Sequence, residues 1–216
     1  MNNKKFHKIR TGVIGVGSMG QNHARVYKEI SNLVGIFDKN IGQGEKVASR
    51  LDIPFYSRME DLLEKVDAVS IAVPTFLHLE VSKKVASFGV DMLVEKPLAM
   101  NVEESKDIID IAKDASVKLA VGHIERHNPV IKYAKSAIDR GEWGKIISLS
   151  SKRVSSYPER IKDVGVIFDL GIHDLDILSY LVGAEVSSVY GVGGSVKLKE
   201  NEDFVSITLQ FKNGNV

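Results

Sequence analysis

The sequence contains no cysteine, which excludes a disulfide framework and any thiolate nucleophile or metal ligand. It also lacks a charge bias, because 29 lysines and arginines are balanced by 28 aspartates and glutamates. Nucleic-acid-binding domains are usually visibly basic, so this balance argues against a nucleic-acid surface. Residues 1–8 are polar and basic, and no long uninterrupted apolar stretch follows them. We therefore expect no signal peptide, no membrane association and a cytoplasmic location.

Three glycines follow an apolar run near the N-terminus, in the sequence V-I-G-V-G-S-M-G that ends at Gly20. Gly15 permits a tight turn, Gly17 lets a backbone approach phosphates, and Gly20 allows close packing of a helix on a strand. The amides at the start of the next helix, at Ser18 and Met19, would face a pyrophosphate. The alternative is a glycine-rich turn that binds nothing.

A second apolar run ends at Asp38, about 20 residues after the first glycine, where a carboxylate can accept a hydrogen bond from an adenosine ribose. The glycines and Asp38 together predict a dinucleotide site. NAD is the favoured cofactor, because Asp38 would repel the 2′-phosphate of NADP. Lys39 leaves NADP as an alternative.

Strands and helices alternate through residues 1–123, which predicts an α/β dinucleotide-binding domain with a doubly wound parallel sheet. In the usual strand order the first and fourth strands are neighbours, and the ligand crevice lies between their carboxyl ends. Counting residues 90–94 as the fourth strand places Lys96 in that crevice. The residues predicted to contact the cofactor after these strands are Pro74, Thr75, Glu95 and Lys96.

The pattern changes after this domain, and residues 124–216 predict an α+β domain with a largely antiparallel open sheet. The predicted strands are 146–154, 186–196 and 204–211, and the predicted core aromatics are Tyr133, Trp143 and Phe204. Asn213-Gly214 is a strong hairpin signal, yet the sequence stops at Val216. We therefore expect the C-terminal part of this domain to be missing.

Three residues have the side chains that oxidation of an alcohol requires. Lys96, in the predicted crevice, can serve as the base for a hydroxyl proton. Asp169 and His173 are four residues apart, so both can lie on one side of a helix, where the carboxylate orients the imidazole. The structural alternatives are a solvated lysine at a strand end, an aspartate that caps a helix and a packed histidine.

Four further residues are predicted to contact substrate, since guanidinium groups suit a diphosphate. They are Arg126, Arg153, Tyr157 and Arg160, and a surface location is equally compatible with the three in the later loop. His123, Glu125 and His127 are metal ligands by type. Without a fourth ligand nearby, a structural role is favoured over a metal site. The charged run 197–203 is interpreted as a solvated turn.

The motifs VIGVGSMG, VDAVSIAVPT, LVEKPLA, VGHIERHNP and DLGIHDLDIL resemble those of the glucose–fructose oxidoreductase, inositol dehydrogenase and rhizopine catabolism (Gfo/Idh/MocA) family, in the family's order. The resemblance implies a Rossmann domain, a second domain on an open sheet and a homo-oligomer, dimer or tetramer, formed through that sheet. It also implies that Lys96, Asp169 and His173 form the catalytic set, with Lys96 and His173 contacting substrate. Within the family the motifs resemble most the dehydrogenases that oxidise UDP-N-acetylglucosamine at C3.

The expected function is therefore oxidation of a secondary hydroxyl of a sugar or UDP-sugar by NAD, without a metal. Three alternatives remain open. They are a non-catalytic NAD-dependent sugar sensor, a dehydrogenase of a free polyol such as inositol, and a reductase of a small apolar substrate. The proton-handling set argues against the sensor, and the arginine-bearing loop argues against the apolar substrate.

Overall fold

The computed structural model describes residues 9–154, 165–197 and 201–216. The chain divides into two units, the first ending at Gly122 and the second beginning at His123.

The first unit is built on a six-stranded sheet in which every pair of neighbouring strands is parallel. The strand order is β3-β2-β1-β4-β5-β6. This order is that of a doubly wound dinucleotide-binding fold, as the sequence predicted. The strands are β1 (Arg10–Ile14), β2 (Asn32–Phe37), β3 (Phe55–Tyr56), β4 (Ala68–Ile71), β5 (Asp91–Val94) and β6 (Leu119–Val121).

Five helices connect these strands, and polar side chains mark where two of them begin. Asn40 accepts a hydrogen bond from the Gln43 amide, and Asn101 accepts one from the Glu104 amide, so each satisfies an amide that has no partner within its helix. The helices are α1 (Ser18–Ile30), α2 (Ile41–Leu51), α3 (Met59–Leu63), α4 (His78–Ser87) and α5 (Val102–Asp114).

Both faces of the sheet are buried. Successive side chains of β1 point to opposite faces, so Ile14 joins one apolar cluster with Leu62 and Val85, while Val13 joins the other with Ala24. All five side chains have no solvent exposure. Burial on two faces explains why these strands are continuous apolar runs rather than alternating ones.

The predicted neighbour of the first strand is wrong. Phe55 and Tyr56 form the short strand β3 on β2, so residues 90–94 are the fifth strand and pair with β4 rather than with β1. Lys96 therefore follows the second strand beyond β1, roughly 10 Å away at the usual strand spacing, but still at the carboxyl edge.

The second unit contains α6 (Pro129–Asp139), a π-helical turn (Ile167–Gly171), α7 (Ile172–Val182), β7 (Val186–Gly194) and β8 (Phe204–Phe211). The two strands are antiparallel, as predicted. Asn128 caps α6 by accepting from the Val130 amide. The turn after β8 contains Gly214 at φ +87°.

Two expectations for the second unit are wrong. No strand is assigned over 146–154, where the backbone makes two hydrogen bonds to other described residues, both with Val216. Tyr133, Trp143 and Phe204 are not core residues within the described chain, since each is more than half exposed. Tyr133 and Trp143 contact each other edge to face at 6.2 Å.

None of the described helices is long and apolar enough to cross a membrane.

Candidate functional site

The glycine-rich turn joins β1 to α1 at the carboxyl edge of the sheet. Gly15 has φ +84°, a conformation that L side chains rarely adopt, and its amide donates to the Phe37 carbonyl at 2.8 Å. A Cβ on Gly20 would lie 1.8 Å from the Gly15 carbonyl oxygen. A Cβ on Gly17 would meet no protein atom within 4 Å. Gly15 and Gly20 thus serve the fold, whereas Gly17 leaves open space beside the backbone.

The open side of this turn fits a dinucleotide diphosphate. Gly17, Ser18 and Met19 are exposed, while Gly15 and Gly20 on either side of them are buried. Gly17 is the N-cap of α1 and no side chain accepts a hydrogen bond at that cap. The first amides of α1 can therefore donate to an anion, and the positive end of the helix dipole favours one there.

Asp38 follows β2 and supports the turn. One carboxylate oxygen accepts from the Val16 amide at 2.8 Å, and the other accepts from the Asn40 amide at 2.8 Å. Both bonds fix the orientation of the carboxylate beside the glycines. Each oxygen retains a lone pair for a ribose hydroxyl.

Two loops follow β4 and β5 at the same edge, and a buried histidine joins them. His78 has 1% exposure, and its Nε2 lies 3.0 Å from the Val73 carbonyl, just before Pro74 and Thr75. Its Nδ1 lies 3.0 Å from the Pro97 carbonyl, immediately after the half-buried Lys96. The predicted cofactor contacts of the two loops are therefore held in one rigid arrangement.

Glu95 is 7% exposed, and its carboxylate faces the protein interior. One oxygen contacts His23 Nε2 at 2.7 Å and the other accepts from the Lys96 amide at 3.2 Å. Burial raises the pKa of Glu95, but the His23 hydrogen bond, His23 charge and Lys96 outweigh it, so the pKa is lowered overall. Glu95 is thus a buried carboxylate stabilised in its charged form.

Asp169 lies in the π-helical turn and His173 in the first turn of α7. Both side chains are half-buried. Glu202 binds the amides at the N-terminus of this helical segment. Its carboxylate accepts from the Ile167 amide at 3.0 Å, and its carbonyl accepts from the Val166 amide at 2.9 Å. Glu202, rather than Asp169, therefore caps the segment, and π-helical turns are frequent at functional sites.

Arg126 and Arg153 both bind carboxylates of α7. Arg126 donates to Asp176 in a bidentate pair of 2.5–3.1 Å. Arg153 donates to Asp174 at 3.0 and 3.3 Å and borders a cavity of about 620 Å³. Burial raises the pKa of Asp174. The hydrogen bonds from Arg153 and Ser151 and the charges of Arg153 and His173 lower this pKa by more, so it is lowered overall. Tyr157 and Arg160 lie outside the described residues.

Two of the three metal-ligand types before α6, His123 and Glu125, have partners within the second unit. His123 Nδ1 lies 3.6 Å from the Asp176 carboxylate, which also binds Arg126. Glu125 accepts from the Asn128 side chain at 3.2 Å. Across the described ranges, no group of three or more His, Asp and Glu side chains is arranged to hold a metal ion.

Two family models match the chain. One, described as an oxidoreductase family with an NAD-binding Rossmann fold, matches residues 9–123, and the GFO/IDH/MocA C-terminal domain matches residues 131–216. The chain belongs to the Gfo/Idh/MocA oxidoreductase family. Its first unit is the family's NAD-binding Rossmann domain, so the resemblance and cofactor inferred from the motifs are confirmed.

Several members of the Gfo/Idh/MocA family are similar over nearly the whole chain. A UDP-N-acetylglucosamine 3-dehydrogenase of Acidithiobacillus ferrooxidans is 38% identical over 208 residues, 96% of this chain and 65% of the relative. A scyllo-inositol 2-dehydrogenase of Bacillus subtilis is 38% identical over 197 residues, 87% of this chain and 58% of the relative. The chain thus spans less than two thirds of the length of these relatives.

Solved structures agree with this assignment. A structure of the Acidithiobacillus ferrooxidans enzyme superposes with a TM-score of 0.89 at 37% identity, covering 96% of this chain and 67% of that one. The WlbA dehydrogenase of Bordetella pertussis, in complex with NADH and UDP-GlcNAcA, has a TM-score of 0.84 at 27% identity, covering 97% and 65%.

Sequence reasoning missed three residues that shape the site in this Gfo/Idh/MocA chain. His23 contacts Glu95, 72 residues away, and His78 contacts Pro97, 19 residues away, so no local pattern indicates these two contacts. Glu202 was interpreted as part of a solvated turn, although its carboxylate accepts the Ile167 amide. A fourth, Ser70, was signalled by the sequence as a polar residue inside an apolar run, and the structure shows it to have no exposure.

Proposed function

We propose that this protein is an NAD-dependent dehydrogenase that oxidises the C3 hydroxyl of UDP-N-acetylglucosamine to a 3-keto nucleotide sugar. The observation that supports a dehydrogenase is the half-buried Lys96 on the sheet edge that also bears the phosphate-binding turn. The observation that supports this substrate is 38% identity over 96% of the chain to a UDP-N-acetylglucosamine 3-dehydrogenase.

The reaction removes a hydride from carbon and a proton from oxygen. When bound, NAD supplies the hydride acceptor. The proton is handled by the chain's own residues, and we assign that role to Lys96 and His173. Asp169, four residues before His173, orients the imidazole in this proposal. The exposed amides of Ser18 and Met19 and the Asp38 carboxylate bind the dinucleotide.

Among the described residues, the substrate contact of the proposal rests on Arg153. Arg153 borders the 620 Å³ cavity, a volume within the range of small-molecule sites. Its guanidinium is bound to Asp174, so a diphosphate has to compete with that carboxylate. Arg126 is more completely committed, since its partner Asp176 has a side chain only 8% exposed. We therefore assign Arg153 rather than Arg126 to the diphosphate.

A free polyol is the second candidate, because a scyllo-inositol 2-dehydrogenase is also 38% identical, over 87% of the chain. A polyol has no diphosphate and needs no cation in the site. The two candidates therefore differ in whether loss of Arg153 affects substrate binding.

The test is an absorbance screen for NADH formation with the full-length protein, NAD, and a panel of UDP-sugars, free N-acetylglucosamine and inositols. We expect the highest kcat/KM with UDP-N-acetylglucosamine. Equal or better oxidation of a free inositol would assign the polyol activity instead. If none of these compounds gives NADH, the dehydrogenase assignment is refuted.

We also propose that β7 and β8 form a surface for self-association. Three large side chains of β7 are each more than half exposed: Val189, Tyr190 and Val192. Neighbouring exposed apolar side chains of this kind mark surfaces where proteins associate. Light scattering of the full-length protein tests this, and a monomer at every concentration would refute it.

A further inference from the structure

Four side chains, two from α1, one from β4 and one directly after β5, form a continuous series of hydrogen bonds that ends at the Lys96 amide. Tyr27 Oη lies 2.7 Å from Ser70 Oγ, and Ser70 Oγ lies 3.0 Å from His23 Nδ1. His23 Nε2 lies 2.7 Å from a carboxylate oxygen of Glu95. The other Glu95 oxygen accepts the Lys96 amide at 3.2 Å. We call this set the Glu95 relay; its members are Tyr27, Ser70, His23 and Glu95.

The Glu95 carboxylate sets the direction of its own hydrogen bond with His23, and with a neutral imidazole the directions of the other two bonds follow from it. The Glu95 carboxylate can only accept, so His23 Nε2 has to donate to it. In a neutral imidazole Nδ1 is then the acceptor, and the Ser70 hydroxyl donates to it. Ser70 in turn accepts from Tyr27. Each donor is used toward the carboxylate, so neutral His23 has one defined tautomer.

The surroundings hold the Glu95 relay in place. Ser70 has no exposure, and the side chains of His23 and Glu95 are 14% and 9% exposed. A Cβ on Gly122 would come within 3.0–3.1 Å of the Glu95 carboxyl group, so any larger residue there would require that group to shift. Burial raises the pKa of Tyr27, with the Ser70 bond acting against it, so the phenol keeps the proton that it donates.

We propose that His23 is a positioning residue for Lys96: it fixes the Glu95 carboxylate, which fixes the peptide leading into the lysine. This inference rests on the proposed role of Lys96 as the base. Its physical basis is that Glu95 binds both His23 and the Lys96 backbone amide through its two oxygens. Losing the His23 bond frees the carboxylate to turn, and the peptide loses its acceptor.

The first measurement is the tautomer of His23 by nitrogen NMR of the imidazole ring, with His23→Gln used to assign its signal. We expect a proton on Nε2, whether or not cofactor or substrate is present. A ring that lacks the Nε2 proton at neutral pH would overturn the inference, because His23 would then present no donor to Glu95.

The second measurement compares turnover in His23→Leu and His23→Gln, since a glutamine amide can donate from nearly the position of Nε2 and leucine cannot donate. We expect kcat to fall about 10²-fold in His23→Leu, the cost typical of a misplacement near 1 Å. NADH affinity should be unchanged, and His23→Gln should recover most of kcat. Arg25→Gln on the exposed side of α1 is the control.

The outcomes separate this inference from the proposed function. Equal losses of kcat in folded His23→Leu and His23→Gln would show that only packing matters, and an undiminished kcat in His23→Leu would show that the Glu95 relay is dispensable. Either result overturns the inference while the dehydrogenase stands. If the wild type oxidises no sugar, the proposed function fails, and the tautomer still decides whether His23 donates to Glu95.

Discussion

Gly17 and Gly20 give a matched pair of substitutions that separates cofactor binding from folding. In Gly20→Ala the new methyl would lie 1.8 Å from the Gly15 carbonyl oxygen, which is backbone and cannot turn away. The helix or the turn has to move by more than 1 Å. Overpacking typically costs about 1–3 kcal/mol, and this contact is with backbone, so we expect a loss of about 3 kcal/mol or more.

Gly17→Ala has the opposite expectation, because no protein atom lies within 4 Å of the new methyl. Alanine is a poorer N-cap by up to about 1 kcal/mol, while lower entropy of the unfolded chain returns about 0.4–1 kcal/mol. Stability should therefore hardly change. The methyl occupies the space that a diphosphate needs, and loss of one charge-assisted hydrogen bond, about 1.5–3 kcal/mol, weakens NADH binding roughly 10- to 100-fold.

The assays are denaturant unfolding without cofactor and fluorescence titration with NADH. The reasoning is refuted if Gly17→Ala binds NADH as tightly as the wild type, since the diphosphate would then not approach Gly17. It is also refuted if Gly20→Ala is as stable as the wild type.

Four further predictions concern single side chains. Because the Asp38 carboxylate repels a 2′-phosphate, fluorescence titrations should show tighter binding of NADH than of NADPH, and Asp38→Ala should reduce this difference in affinity. Lys96→Met should lower kcat about 10²–10⁴-fold while NADH affinity stays, since the lysine acts on the substrate hydroxyl; His173→Ala should also lower kcat and shift its pH profile. Arg153→Ala should raise KM for UDP-N-acetylglucosamine and leave KM for a free sugar unchanged. Glu95→Gln should lower the free energy of unfolding at neutral pH, and its difference from the wild type should shrink below pH 4.5. The pKa of Glu95 lies below that ordinary value when folded, so its contribution is present above 4.5 and is lost as the pH falls through the folded pKa.

Each of these predictions has a contradicting result. NADPH that binds as tightly as NADH would contradict the role of Asp38. A Lys96→Met protein that retains roughly half or more of the wild-type kcat would exclude Lys96 as the base, because loss of a general base typically costs far more. An equal rise in KM for the free sugar would remove Arg153 from the diphosphate. A Glu95→Gln difference that does not depend on pH would show that the charge of Glu95 does not stabilise the fold.

The doubly wound sheet could be predicted from the sequence because its glycines, its apolar runs and Asp38 are each determined by the local turn, strand or strand end in which they lie. The neighbour of β1 was mispredicted because Phe55–Tyr56 is only two residues long and becomes a strand through its pairing with β2. Such a pairing is a tertiary property. Residues 146–154 show the converse, a β-like pattern whose backbone partner within the described ranges is Val216 alone.

For the candidate site, the sequence could indicate residue types but not contacts that depend on a distant partner. The four-residue spacing of Asp169 and His173 predicts a shared helix face for either helix type, so the pattern could not distinguish the π-helical turn from an α-helix. The arginines were recognisable as cations, but Asp174 as the partner of Arg153 depends on chain packing. His23 and Glu95 are 72 residues apart, and only the folded sheet brings them together.

The most direct test of the central claim is oxidation of UDP-N-acetylglucosamine that bears deuterium at C3, followed by mass spectrometry of both products. The account predicts that the deuterium appears in the reduced cofactor and that the nucleotide sugar carries a ketone at C3. Reduced cofactor without deuterium, with the label still on the sugar, would place the oxidised carbon elsewhere and contradict the account.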